Sequence, residues 1–319
     1  MTFESKLSVA VGMAVSAVSG KARPLAVSWA VTSRCNLRCK YCDIWSGRSR
    51  ELSTTEAKKA IDEMASAGVG KLSLTGGEPL LRNDIGHLIE HAKSSGISVS
   101  LNTNGTLVKQ MLPLLLNLDR LSVSLDGPKT LHEIQRGKGS YDKAVEAVEY
   151  AKKNGINVSI ATVVTKNNAH ALKDICSIAS GMGVKVLFQP VENYAYSSNH
   201  AGEMAADRSL LKEAFESIKD DRNVLNSKAC LRHFVKPTVN ISNCGAGRIF
   251  CRIDPNGDMF PCGRTVRNKN PPNVRDGFLK GFLNLGRPEC NVCYCANHVE
   301  ASLILRKNIS AIRNQITSF

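Results

Sequence analysis

From Leu25 to about Lys219 the chain alternates short β-branched runs with longer stretches of helical periodicity, and few folds accept that order. The candidate strands are "LAVSWAVT" (25–32), "KLSLT" (71–75), "SVSLN" (98–102), "RLSVS" (120–124), "NVSIATVV" (157–164) and "VKVLFQPV" (184–191). Helical patterns lie between them near 53–67, 84–94, 108–116, 141–154 and 169–182. Ser53 and Asp84 are expected N-caps, and Gly68, Gly96, Gly155 and Gly183 each stand where a helix would end. Six such β/α repeats predict a parallel sheet with right-handed crossovers, as an open doubly wound sheet or as a partial barrel. Both place ligands at the carboxyl ends of the strands.

Immediately after the first strand, "TSRCNLRCKYC" sets Cys35, Cys39 and Cys42 on that edge. The chain has 11 cysteines and no pattern of a cleaved secretory signal, so metal ligation explains them better than a disulfide framework does. They gather at two ends: this triplet, then Cys244, Cys251, Cys262, Cys290, Cys293 and Cys295. Cys176 and Cys230 stand apart and are read as small buried hydrophobes. A closed structural zinc site wants about four ligands. A cubane iron–sulfur cluster held by three thiolates leaves one iron open for another ligand, which gives a three-cysteine loop a purpose.

Composition narrows the partners. The net charge of +14 suits an acidic partner protein, anionic lipid or nucleic acid. Lys and Arg are scattered, without an aromatic-interleaved basic stripe, so nucleic-acid binding is not expected. No stretch approaches the roughly 20 apolar residues of a membrane span. Residues 1–24, with "KLSVAVGMAVSAV", form an amphipathic segment suited either to covering one end of a barrel or to peripheral membrane contact. With those 24 residues alone ahead of the first strand, no separate peptide-recognition domain is expected before the barrel.

The spacing Cys35-x3-Cys39-x2-Cys42, with Tyr41 before the last cysteine, resembles the hallmark of the radical S-adenosylmethionine (radical SAM) superfamily. "TGGEP" (75–79), ending the second strand, resembles that family's GGE motif. There Gly76 and Gly77 permit close backbone approach, Glu78 can accept from an ammonium, and Pro79 stiffens the turn. "NTNGT" (102–106) and "SVSLDGPKTLHEIQRGKGSYDKAV" (122–145) look like the matching stretches of the subgroup that includes anaerobic sulfatase-maturing enzymes and peptide-modifying maturases. The resemblance implies a partial (β/α)6 TIM-like barrel over 25–221. It also implies S-adenosylmethionine binding, with Tyr41 flanking the adenine, Asn104 and Ser124 at the ribose or methionine part, and Arg136 at the methionine carboxylate. Leu187 to Gln189 would lie beside the adenine, while Asp126 reads as a turn residue before Gly127-Pro128.

After about Asp221 the pattern dissolves into short Gly-, Pro- and Asn-rich segments. "CGAGRIFCRIDPNGDMFPC" and "CNVC" resemble the auxiliary-cluster modules called SPASM and Twitch, and the shorter Twitch form, with one [4Fe–4S] cluster, fits better. Residues 222–319 would then be a small C-terminal iron–sulfur module, ligated by Cys244, Cys262, Cys290 and Cys293, with Cys251 or Cys295 able to replace one of them. Zinc, as in a ribbon, is the alternative metal.

By this resemblance the chain is a cytoplasmic oxidoreductase with two [4Fe–4S] clusters. It would cleave S-adenosylmethionine with one electron from a flavodoxin or ferredoxin and use the 5′-deoxyadenosyl radical to abstract hydrogen from a substrate. The substrate classes left open are a peptide, as for a sulfatase-maturase-like enzyme, a carbohydrate, or a lipid. A non-catalytic iron–sulfur or zinc protein is the reading from another class.

Overall fold

The computed structural model describes residues 21–47, 50–192, 201–238, 244–263, 270–288, 290 and 292–317. The amphipathic segment expected over 1–24 lies, up to residue 20, outside the described residues.

The six expected strands form as β1 (Ala26–Thr32), β2 (Lys71–Gly76), β3 (Ser98–Thr103), β4 (Arg120–Ser124), β5 (Val158–Val164) and β6 (Lys185–Pro190), each parallel to the next. Alternation of side chains decides which face does what. Trp29, Leu74, Leu101 and Leu121 stand opposite one another across β1 to β4, and all are fully buried beneath the helices. Each such side chain contributes about 1.5–3 kcal/mol by burial. The other parity, with Ser28, Ser73 and Ser100 in register, carries small polar residues that are only half-buried. The interior face is therefore not packed shut with Val, Ile and Leu at these positions.

The crossover helices are α1 (Thr54–Ser66), α2 (Ile85–Ser94), α3 (Val108–Met111), α4 (Lys129–Arg136), α5 (Ser140–Lys153) and α6 (Leu172–Gly181). Ser53 caps α1 in a full capping box with Glu56. Asp84 precedes α2 without capping it, because its carboxylate is taken by Arg82, at 2.6 and 2.9 Å, and by the Thr54 hydroxyl. The helix expected over 108–116 stops at Met111 and tightens into a 3₁₀ turn over Leu112–Leu114, where Pro113 brings no N–H. Helix α4 was not foreseen. Gly68, Gly96, Gly155 and Gly183 all have positive φ, as helix-terminating glycines do.

Among the described residues the sheet has eight strands where six were expected. Strand β7 (Phe250–Ile253) runs parallel to β1, and β8 (Met259–Phe260) returns antiparallel after the turn at Gly257, giving the order β6-β5-β4-β3-β2-β1-β7-β8. Four further helices, α7 (Arg208–Glu216), α8 (Lys228–Val235), α9 (Phe278–Leu283) and α10 (Ala296–Leu305), precede a terminal α11 (Ile309–Thr317). The Phe278 N–H donates to Glu63 of α1 at 2.7 Å, and Phe278 and Phe282 are fully buried in the core that also holds Trp29 and Leu74. Residues on both sides of position 221 thus share one apolar core.

That sharing has a measurable consequence. Phe278→Ala should destabilise the chain by about 3–5 kcal/mol, and urea unfolding followed by tryptophan fluorescence and circular dichroism should show one shifted transition. Two separated transitions would mean that the C-terminal region folds by itself.

Candidate cofactor site

The carboxyl ends of the parallel strands converge on one edge, and the expected motifs leave the sheet there. Two backbone hydrogen bonds weld the first two. The Gly77 N–H donates to the Thr32 carbonyl and the Glu78 N–H to the Arg34 carbonyl, both at 2.8 Å. A Cβ on Gly76 would stand 2.3 Å from the Thr32 oxygen, and one on Gly77 2.1 Å from the Arg34 oxygen. The GGE turn therefore needs its glycines to press against the entry of the cysteine loop, and Gly76 also adopts φ +136°.

Glu78 is fully buried. Its carboxylate accepts from the Thr103 hydroxyl and the Asn104 N–H, both at 2.8 Å, and from the Leu80 N–H at 3.1 Å, with Pro79 starting the 3₁₀ turn beside it. Burial pushes its pKa up to about 7 against those hydrogen bonds. Asn104 donates from Nδ2 to Asn36 Oδ1, and Asn36 donates to the Thr106 hydroxyl, each at 2.8 Å, so "NTNGT" is tied to the cysteine loop as well. Asn36 lies between two cysteines and was not singled out in the sequence.

Asp126 is the hub on the opposite flank. It is fully buried and accepts from Tyr41 Oη at 2.7 Å, Arg136 Nε at 2.5 Å, Arg136 Nη2 at 3.2 Å and the Val163 N–H at 2.9 Å. Burial alone would raise its carboxyl, but the Arg136 guanidinium outweighs it and holds the group below the usual range. Burial pushes the Tyr41 phenol well up, and the guanidinium lies 5.6 Å from the centre of its ring. The turn-residue reading of Asp126 was too small. Arg136, expected at the methionine carboxylate, is first of all the partner of this aspartate, which uses two of its five N–H donors.

Helix α4 carries Arg136 and two other buried polar residues. His132 Nδ1 accepts from the Asp126 N–H at 3.1 Å, and the Lys40 N–H of the cysteine loop donates to the Gln135 carbonyl at 2.9 Å. The Gln135 side chain accepts from the Thr165 hydroxyl at 3.0 Å, while its Nε2 is buried without a partner. Ser124 ends β4 on the half-buried interior face. Gln189 accepts from the Ala296 N–H at 3.2 Å.

Cys35, Cys39 and Cys42 are half-buried, each within electrostatic reach of another of the three. Burial raises all three thiols, and Arg136 offsets this in part. Thiolates here call for a cation of their own, which iron supplies, so the donor set fits a cluster. Among the described residues, no three His, Cys, Asp or Glu side chains stand together as a single-ion site.

In the C-terminal region Cys244, Cys262 and Cys293 are buried, and Cys290 and Cys295 are half-buried. Cys244 is in electrostatic reach of Cys262 and Cys293, and Cys293 of Cys295. Cys251 sits on β7 opposite Val27 in the main core, where burial alone raises its thiol. Cys176 and Cys230 are buried as expected.

The radical SAM superfamily model matches residues 29–178, the span from β1 to α6 that carries these motifs. The mycofactocin maturase MftC of Mycolicibacterium smegmatis is 30% identical over 272 residues, covering 82% of this chain and 67% of that protein. The chain belongs to the radical SAM superfamily. Another of its relatives, the AdoMet-dependent heme synthase of Methanosarcina barkeri, is 30% identical over 270 residues, 75% of this chain and 77% of that protein. In structure the chain is similar to Streptococcus suis SuiB bound to precursor peptide SuiA, with TM-score 0.63 at 17% identity, covering 93% of this chain and 76% of that one. Radical SAM proteins use a [4Fe–4S] cluster and S-adenosylmethionine.

The buried Glu78 makes stability pH-dependent. Its pKa rises from 4.5 to about 7 on folding, so between those values the folded chain keeps a proton that the unfolded chain releases. Stability should therefore fall as pH rises through that window, by up to about 3 kcal/mol from this group. Glu78→Gln should remove that part of the slope, which urea titrations near about pH 5 and pH 7.5 measure. Equal slopes in the two proteins would refute it.

Proposed function

We propose that the chain is a radical SAM enzyme that abstracts a hydrogen atom from a peptide, drawing its electron from a low-potential donor such as flavodoxin or ferredoxin. One observation carries the reading: the cysteine loop, the GGE turn and the NTNGT turn are hydrogen-bonded into one unit at the carboxyl ends of β1, β2 and β3.

Cys35, Cys39 and Cys42 would hold the first cluster, and S-adenosylmethionine would lie along the strand ends. Together these groups supply one-electron cleavage of a sulfur–carbon bond, which yields a carbon-centred hydrogen abstractor. The chain's residues position and exclude. Glu78 offers its remaining acceptor capacity to the amino group, and Arg136 turns its remaining N–H donors to the carboxylate while Asp126 fixes its plane. Tyr41, pinned through its hydroxyl, presents a ring face to the adenine. Asn104 and Ser124 reach the ribose or methionine part. In the C-terminal region Cys244, Cys262, Cys290 and Cys293 would hold a second, closed cluster for electron transfer; Cys295 is the better reserve ligand, since it lies within electrostatic reach of Cys293 while burial alone acts on Cys251, opposite Val27 on β7.

The peptide reading draws support from SuiB, whose structure contains a precursor peptide, and from the polar interior face. Among the described residues no helix is long and apolar enough to cross a membrane, and a cytoplasmic setting suits thiolate-bound iron.

Anaerobically reconstituted protein with dithionite should convert S-adenosylmethionine to 5′-deoxyadenosine, and Cys39→Ala should bring this to background. Retained cleavage in that variant would sink the loop assignment. Deuterated peptides encoded beside the gene should pass deuterium into 5′-deoxyadenosine. Transfer from a tetrapyrrole, carbohydrate or lipid instead would replace the peptide reading, and iron without any cleavage would favour a non-catalytic protein.

A further inference from the structure

The segment 292–295 has no helix or strand of its own, so its peptide groups must find partners elsewhere. They find buried side chains. Glu192, just beyond β6 and only 6% exposed, accepts from the Tyr294 N–H at 2.7 Å. His233 on α8, 1% exposed, lies with Nε2 2.7 Å from the Cys293 carbonyl. Its Nδ1 accepts from the Thr238 N–H at 2.7 Å, which leaves Nε2 as the protonated nitrogen that donates to that carbonyl. The Cys293 C=O and the Tyr294 N–H belong to one peptide plane. That plane is gripped at both ends, by groups from two separate parts of the chain. Two residues on, Gln189 of β6 accepts from the Ala296 N–H at 3.2 Å.

We propose that Glu192, His233 and Gln189 are positioning residues for the second cluster, clamping the Cys293–Cys295 segment to the carboxyl end of β6. The inference rests on the reading of Cys293 as a ligand of that cluster. Fixing the plane after Cys293 anchors its Cα and, leaving only ψ and the side-chain torsion free, narrows where the sulfur can reach. None of the three residues falls in a cysteine motif, and in ligand sites such outer partners typically govern retention by 10–100-fold.

The test isolates the second centre in a chain carrying Cys35→Ala, Cys39→Ala and Cys42→Ala, reconstituted anaerobically and reduced. Adding Glu192→Ala should change the line shape of its electron paramagnetic resonance spectrum and speed loss of the cluster to a chelator roughly tenfold or more. Glu192→Gln, which keeps an oxygen for the Tyr294 N–H, should bring both back toward the parent. In the chain with all cysteines, Glu192→Ala should leave the signal of the first cluster unaltered. His233→Leu supplies an independent arm should Glu192→Ala fail to fold. Unchanged line shape and stripping rate in the clamp variants, with a normal parent, would overturn the clamp alone. A parent that binds no iron–sulfur centre would overturn the second-cluster reading and the clamp with it.

Discussion

The contact between the GGE turn and the mouth of the cysteine loop governs the site. Two N–H groups of the turn end on the carbonyls of Thr32 and Arg34, at a separation that leaves no room for a Cβ on either glycine. Once that contact is made, Glu78 points inward and gathers Thr103 and Asn104, and Asn104 gathers Asn36. Three strand ends become one surface. Buried hydrogen bonds are costly to leave unmade, so each of these links holds the others in place.

The other flank uses charge where this one uses backbone. Asp126 and Arg136 form a buried ion pair whose value is geometric rather than energetic, since desolvation cancels much of the attraction. Because Tyr41 is hydrogen-bonded to the same carboxylate, the pair fixes an aromatic ring between two cysteines. The interior face, with serine and other small polar residues, stays only half-buried.

Much of this was legible. The β-branched runs located six strands to within a residue at either end, because burial of alternate side chains leaves a period of two in the sequence. The glycine helix ends and the Ser53 capping box were legible for equally local reasons. Helix α4 was not, since its buried stripe is His132, Gln135 and Arg136 while Ile134 is exposed. Hydrophobic periodicity cannot see a helix that buries polar residues at the right spacing. Asp126 was undervalued for the same reason: a carboxylate before Gly-Pro looks like a turn until its partners, 10 and 85 residues away, are in place.

By itself the sequence determined the parallel β/α order, the edge on which the motifs gather and the donor types found there, because these follow from local spacing along the chain. Only the tertiary structure decided that β7 extends the sheet beside β1, that Cys251 pairs opposite Val27 while Cys244 comes within electrostatic reach of Cys293, and that Glu192 and His233 hold the Cys293–Tyr294 peptide plane between them. Those outcomes depend on contacts between segments far apart in sequence. Such contacts are selected by the packing and hydrogen-bond satisfaction of the whole chain, which no short window of residues records.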